Sequence, residues 1–119
     1  MDDQDRLARV QADAVVVTLP VEIDMSNADS VGSDLSAALG PGVAVVVADM
    51  TSTVFCDSGG LRNLVMSYHQ AAASGAELRL AVQSSAVLRV IELTGILKLM
   101  GVYRSVEAAL TAEPGASRA

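Results

Sequence analysis

Three features of the chain predict an α/β fold with helices packed on a mixed sheet of four or five strands. Short β-branched or apolar runs at Val15–Leu19, Val43–Ala48 and Leu78–Val82 have the length and composition of buried strands. Between the first two lie apolar residues at helical spacing, Ala28, Val31, Leu35 and Leu39. Turn-forming clusters such as Gly40-Pro41-Gly42 and Ser74-Gly75 separate the two kinds of segment. At 119 residues, 51% of them hydrophobic, the chain suits one domain with a sizeable core. No internal repeat or interdomain linker interrupts it.

In chain order, Leu7–Val10 reads as a first strand, with a turn at Ala12-Asp13. Val15–Leu19 follows as a buried strand ended by Pro20. Ser26-Asn27-Ala28-Asp29 has the form of a helix start, with Ser26 as the cap. That helix ends at Gly40-Pro41-Gly42. Val43–Ala48 is unbroken and apolar, the pattern of a strand buried on both faces, and Asp49 closes it. Thr51–Phe55 reads as a connecting loop or short extended piece. A second helix is expected over about 59–73, with Leu61, Leu64, Val65, Tyr68 and Ala72 on its inner face. Arg62, Asn63, Met66, Ser67 and Gln70 fall on the outer one. After the strand at Leu78–Val82, Ser84-Ser85 caps a third helix, 86–94, stopped by Gly95. Leu97, Leu99 and Met100 form an apolar run that suits core or a hydrophobic edge. Val102-Tyr103 is a short strand, Ser105 caps a last helix carrying Val106, Ala109 and Leu110, and 113–119 is expected to fray.

Composition excludes several classes of function. A formal net charge of −6 disfavours nucleic acid and anionic lipid as partners. Aromatic residues are only 3%, which leaves no stacking platform for single strands or sugars. The apolar runs are too short to span a bilayer, so no membrane partner is expected. Cys56, the single cysteine, allows neither an internal disulfide nor a thiolate metal cluster, and no cofactor or metal is expected. It reads as a small buried hydrophobe. The acidic start Met1-Asp2-Asp3-Gln4-Asp5 lacks a signal-peptide pattern, and a reducing cytoplasm is the expected compartment.

The richest stretch is Phe55-Cys56-Asp57-Ser58-Gly59-Gly60-Leu61, where an extended segment gives way to a helical pattern. A serine there can cap the helix, carry a phosphate or act as a nucleophile. The third role lacks a base. His69, the single histidine, lies about three turns along the same helix, and no Gly-x-Ser-x-Gly elbow surrounds Ser58. Asp49 and Asp57 have no companion acidic pair after the first strand, so a metal-bound acidic pocket is not expected.

The order of these segments resembles the STAS domain, and more narrowly the bacterial anti-sigma factor antagonists. Asp49, then Asp57-Ser58 and Gly60-Leu61, is similar to the family's core signature. Val16-Val17-Thr18-Leu19-Pro20-Val21-Glu22-Ile23-Asp24 resembles its strand-to-loop segment. Val87 to Ile96, with Leu93-Thr94-Gly95, resembles its third helix, and Val106-Glu107-Ala108-Ala109-Leu110 also fits. The resemblance spans roughly residues 7–112. Two positions depart from it: Val21 stands where glycine is frequent, and Gly59 where a second serine is common.

The resemblance implies a non-enzymatic antagonist that binds an anti-sigma factor and frees its sigma factor. The anti-sigma factor would also be a serine kinase that phosphorylates Ser58, and a serine phosphatase would reverse the modification. The surface implied for partner binding is Asp24, Met25, Ser26, Asp57, Ser58, Gly59, Arg62, Asn63 and Met66. Two other classes stay open at this point. One is a STAS adaptor of a transporter or signalling scaffold without phosphorylation. The other is a nucleotide-binding module, although neither Gly-x-Gly-x-x-Gly nor a P-loop is present.

Overall fold

The computed structural model of the chain describes residues 8–11 and 13–113. The expected involvement of Leu7 and Ala12 in the first hairpin, and the tail beyond Glu113, lie outside those residues. Among the described residues seven strands occur in order: β1 (Ala8–Gln11), β2 (Ala14–Thr18), β3 (Glu22–Ile23), β4 (Val45–Met50), β5 (Phe55–Cys56), β6 (Glu77–Val82) and β7 (Gly101–Tyr103). The helices are α1 (Ala28–Ala37), α2 (Ser58–Ala73), α3 (Ser85–Thr94) and α4 (Val106–Thr111), with a 3₁₀ turn at Ile96–Lys98.

The main sheet has the order β1-β2-β4-β6-β7. β1 pairs antiparallel with β2, and the remaining neighbours are parallel. The mixed sheet is therefore as the apolar runs predict, and β4 and β6, each between two parallel neighbours, are largely buried. Alternation sorts β4 between two cores: Val46, Ala48 and Met50 face the larger one and Val47 the smaller. α1, α2 and α3 cover the larger core with Val31, Leu35, Leu61, Leu64, Val87 and Ile91. Ala109 of α4 packs on the other face, against Val16, Val47 and Ala81.

Several boundaries move from their expected places, each for a local reason. β4 begins at Val45 and runs through Asp49 to Met50, because ladder pairing with β6 continues to Met50 opposite Val82. Ser26 is not the cap of α1. The helix begins at Ala28 with Asn27 in the cap position, and the Asn27 side chain turns back toward Asp24 and Glu22. On α2 the inner face is Gly60, Leu61, Leu64, Ser67 and Ala71, with Ala72 outside. Ser67 is buried because α1 lies alongside α2, where Gln70 donates to the Ser36 hydroxyl at 2.8 Å. The caps at Ser84 and Ser105 form as expected, accepting from the Val87 and Ala108 amides at 3.2 and 3.0 Å. Gly95 ends α3 with a φ of 82°, a conformation glycine adopts without strain. Ile96 and Met100 are buried, with Leu97 and Leu99 packed against them, so that run is core.

Arg79 is the main surprise of the sheet. It lies at the centre of β6 and is only 1% exposed. Its Nη1 donates to the carbonyls of Ala109 (2.6 Å) and Ala112 (3.0 Å), and its Nη2 to Glu77 Oε1 at 3.1 Å. The guanidinium thus satisfies carbonyls at the C-terminal end of α4, where a cation also complements the helix dipole. A six-residue helix has little stability of its own, so this anchor holds it on the sheet. Arg79→Leu is expected to cost roughly 1.5–3 kcal/mol, read from urea denaturation, with amide protection lost first in α4. An unchanged midpoint and unchanged α4 protection would contradict the anchor.

Candidate functional site

The site is built where the loops leaving the C-terminal ends of β2 and β4 meet. Those strands are adjacent and parallel, so their loops emerge side by side. Leu19 N–H donates to the Asp49 carbonyl at 2.9 Å, which extends the pairing past the strand ends. The Asp49 carboxylate then accepts from the Thr51 amide (3.0 Å) and hydroxyl (2.6 Å) and closes the turn. Buried Thr53 donates its hydroxyl to the Pro20 carbonyl at 2.7 Å, and Val54 N–H donates to the Val21 carbonyl at 2.8 Å. From there β3 and β5 run parallel, Glu22 opposite Phe55 and Ile23 opposite Cys56. Asp57 N–H donates to the Ile23 carbonyl at 3.0 Å.

This ladder delivers Asp57 as the cap of α2. Its carboxylate accepts the Gly60 amide at 2.9 Å, and its carbonyl accepts the Leu61 amide at 3.0 Å. Ser58 is therefore the first helical residue rather than the cap, and it is exposed. Of the three roles open to this serine, capping has passed to its neighbour. The acid before the serine takes the structural work and leaves the hydroxyl at the surface.

Across the ladder, the β3–α1 loop is held by its own polar side chains. The Asp24 carboxylate accepts from the Ser26 amide (2.9 Å) and hydroxyl (2.5 Å). Asn27 accepts from the Asp24 amide and donates to the Glu22 carbonyl, at 3.0 and 2.8 Å. The Ser26 hydroxyl, followed by its amide, holds the Asp24 carboxyl below the usual carboxylate range. Met25 is left at the tip, 86% exposed. Met25 shares a shallow cleft with Gly59, Arg62, Asn63 and Met66, the last 57% exposed. A second cleft of about 530 Å³ continues from it between α1 and α2, floored by Gly32, Ser36 and Ser67.

The structure thus brings Met25, Gly59, Arg62, Asn63 and Met66 into one cleft, with Asp57 and Ser58 at the head of the same helix. Asp24 and Ser26 sit in the loop beside them. Sequence reasoning missed the apolar rim of this corner: Val21, Val54 and Phe55 are all exposed. No periodic signal marks it, since a strand of two residues, Phe55 and Cys56, is too short to show alternation. Among the described residues, no group of three or more histidine, cysteine or acidic side chains is arranged to hold a metal. No described helix is long and apolar enough to cross a membrane. His69 is exposed and stacks edge-on with Tyr68, ring centres 5.4 Å apart.

The two glycines after Ser58 do different work. A Cβ on Gly60 would lie 2.7 Å from both Cys56 Sγ and Ile23 Cγ2, so α2 approaches the β3–β5 ladder as closely as glycine allows. A Cβ on Gly59 meets only Asp57 Oδ1, at 3.4 Å. The space for a β-carbon at position 59 is therefore open. Cys56 is buried beneath this corner, and burial, assisted by the charge of Asp57, pushes its thiol up to about 11.

With this geometry in place, the comparisons with known proteins give the class. The chain belongs to the STAS domain family, which it matches over residues 6–109. An anti-sigma factor antagonist from Mycobacterium paratuberculosis superposes with a TM-score of 0.79 at 27% identity, covering 88% of this chain and 89% of that one. A STAS-domain anti-sigma factor antagonist from Planctomyces limnophilus gives 0.75 at 19% identity, covering 87% and 92%. The Bacillus cell fate determinant SpoIIAA in its phosphorylated form gives 0.62 at 21%, covering 84% and 91%.

Two predictions follow from the corner's packing. Gly59→Ala is expected to stabilise the protein by about 0.5–1 kcal/mol by removing backbone freedom. Gly60→Ala is expected to destabilise it by about 1–3 kcal/mol through overpacking. Chemical denaturation of the pair checks the sign reversal; equal effects would contradict the assigned roles. The thiol of Cys56, with its folded pKa raised above the ordinary value of about 9, favours the fold below about pH 9. That contribution is lost as pH rises through about 11. A thiol reagent at pH 8 should therefore label native protein far more slowly than denatured protein, and Gly60→Ala should accelerate native labelling.

Proposed function

We propose that this chain is an anti-sigma factor antagonist that binds an anti-sigma factor with serine kinase activity and is switched off by phosphorylation of Ser58. The observation that carries the reading is the separation of roles at the head of α2. Asp57 caps the helix, while Ser58 stays exposed beside a cleft with two exposed methionines. The similarity to anti-sigma factor antagonists, SpoIIAA among them, and to SpoIIAA in its phosphorylated form supports the choice of partner and modification.

The docking surface is Asp24, Met25, Ser26, Asp57, Ser58, Gly59, Arg62, Asn63 and Met66. Met25 and Met66 supply adaptable apolar contact, and Arg62 supplies a cation within an otherwise acidic protein. Asp24 and Ser26 set the shape of the loop that presents Met25. The chain acts as a binding protein, with no catalysis of its own, and a serine phosphatase restores Ser58.

The chemistry of the switch is local. A phosphate adds about −1.5 to −2 charges at neutral pH. At the first turn of a helix that charge is tolerated, so the domain stays folded. In a closed interface it must be desolvated next to Asp57 and set against the partner's acidic groups. A penalty of about 3–4 kcal/mol weakens binding by a few hundred-fold.

Incubation with a cognate anti-sigma factor and ATP should place one phosphate on Ser58 by mass spectrometry. Ser58→Ala should abolish labelling but retain binding, and Ser58→Glu should bind at least ten-fold more weakly. Labelling at another residue, or undiminished binding by Ser58→Glu and by the phosphorylated chain, would refute the switch.

A further inference from the structure

We infer that Arg62 is the intramolecular receptor of a phosphate on Ser58, so that modification also withdraws the cation from the docking cleft. This inference rests on the reading of Ser58 as the modified residue and adds how the modified state is held.

α2 is a continuous helix from Ser58 to Ala73, which places Ser58 and Arg62 four residues apart on neighbouring positions of one face. Both residues are exposed. Among the described residues, Arg62 makes no hydrogen bond or ion pair; the ion pair that does form is Arg79 with Glu77. A negative group N-terminal to a cation at this spacing is the favourable orientation, because it also agrees with the helix dipole. The guanidinium offers a planar fork of donors, which matches two phosphate oxygens as an ammonium cannot.

The surroundings make Arg62 the relevant cation. Three of the charged groups at this corner are acidic: Asp57 before α2, Asp24 in the β3–α1 loop and Asp29 on α1, while α3, packed on β5, carries the exposed Arg89 and Glu92. Asp29 lines the same cleft as Arg62. Those carboxylates disfavour a dianionic phosphate, and Arg62 offsets them. Its capture changes the cleft twice. A negative charge appears at the head of the helix, and the positive charge between Met25 and Met66 is neutralised. A partner that uses an acidic group to meet Arg62 then loses that contact as well as meeting the phosphate.

The test places phosphoserine at position 58 during translation, so it needs no kinase and no partner. Phosphorus NMR of the full chain should give a second phosphate pKa lower than that of the Arg62→Gln variant by about 0.2–0.4 of a pH unit. Arg62→Lys should recover only part of the difference. The Arg62 Nε–H resonance should shift along the same titration curve in the phosphorylated chain, and stay flat in the unmodified chain. Identical phosphate pKa values with and without Arg62, or a guanidinium resonance that ignores the phosphate, would overturn the inference. A kinase that modifies another residue would instead overturn the reading beneath it and leave this titration unaffected.

Discussion

The corner that carries the proposed function depends on a parallel ladder only two residues long. Without the pairing of Glu22–Ile23 with Phe55–Cys56, the loops after β2 and β4 would be independent surface segments. With it, they form a second small sheet, closed above by the Asp57 amide on the Ile23 carbonyl. So short a pairing has little stability by itself. It persists because it is fastened at both ends, by the buried Thr53 hydroxyl on Pro20 and by α2 pressed against Ile23 and Cys56 through Gly60. The position of Ser58 follows from that assembly and not from any contact of its own.

This arrangement divides stability from presentation. Ile23, Cys56, Gly60 and Leu61 hold the corner from below and belong to the buried part of the molecule. Met25, Ser58, Arg62 and Met66 project from above it and are exposed. Chemistry at the upper set can change without disturbing the lower set, which a modification switch in a small domain requires. The main sheet supports the division from a distance. Its larger face is sealed by α1 to α3, and its smaller face by α4 under the Arg79 anchor.

Most of this was legible in the sequence because it rests on periodicity and punctuation. The β-branched runs of β2 and β4 cannot lie comfortably in water, and Gly95, Ser84 and Ser105 sit where helix ends need them. The Asp57-Ser58 motif marked the head of α2 to within one residue. What was not legible depends on tertiary partners. Arg79 reads as an interruption in an apolar strand, and only the carbonyls at the end of α4 explain it. Ser67 looks polar and therefore outward until α1 is laid beside it. Ser26 and Ser58 each have the form of a cap, yet Asn27 and Asp57 occupy those positions, Asp57 with a carboxylate that reaches the Gly60 amide. The β3–β5 ladder is too short to have a period. Phe55 is consequently an exposed apolar residue that no alternation pattern announced.

The proposed switch requires that position 58 be charged without altering the fold that presents it. The most direct measurement compares amide NMR spectra of the chain with serine and with phosphoserine at that position. Shifts are expected only in the β3–α1 loop, the β5–α2 junction and the first turns of α2, with the remaining amides unmoved and their protection unchanged. Shifts spreading through β4 and β6, or a collapse of dispersion across the core, would contradict it and place the switch in the fold rather than on its surface.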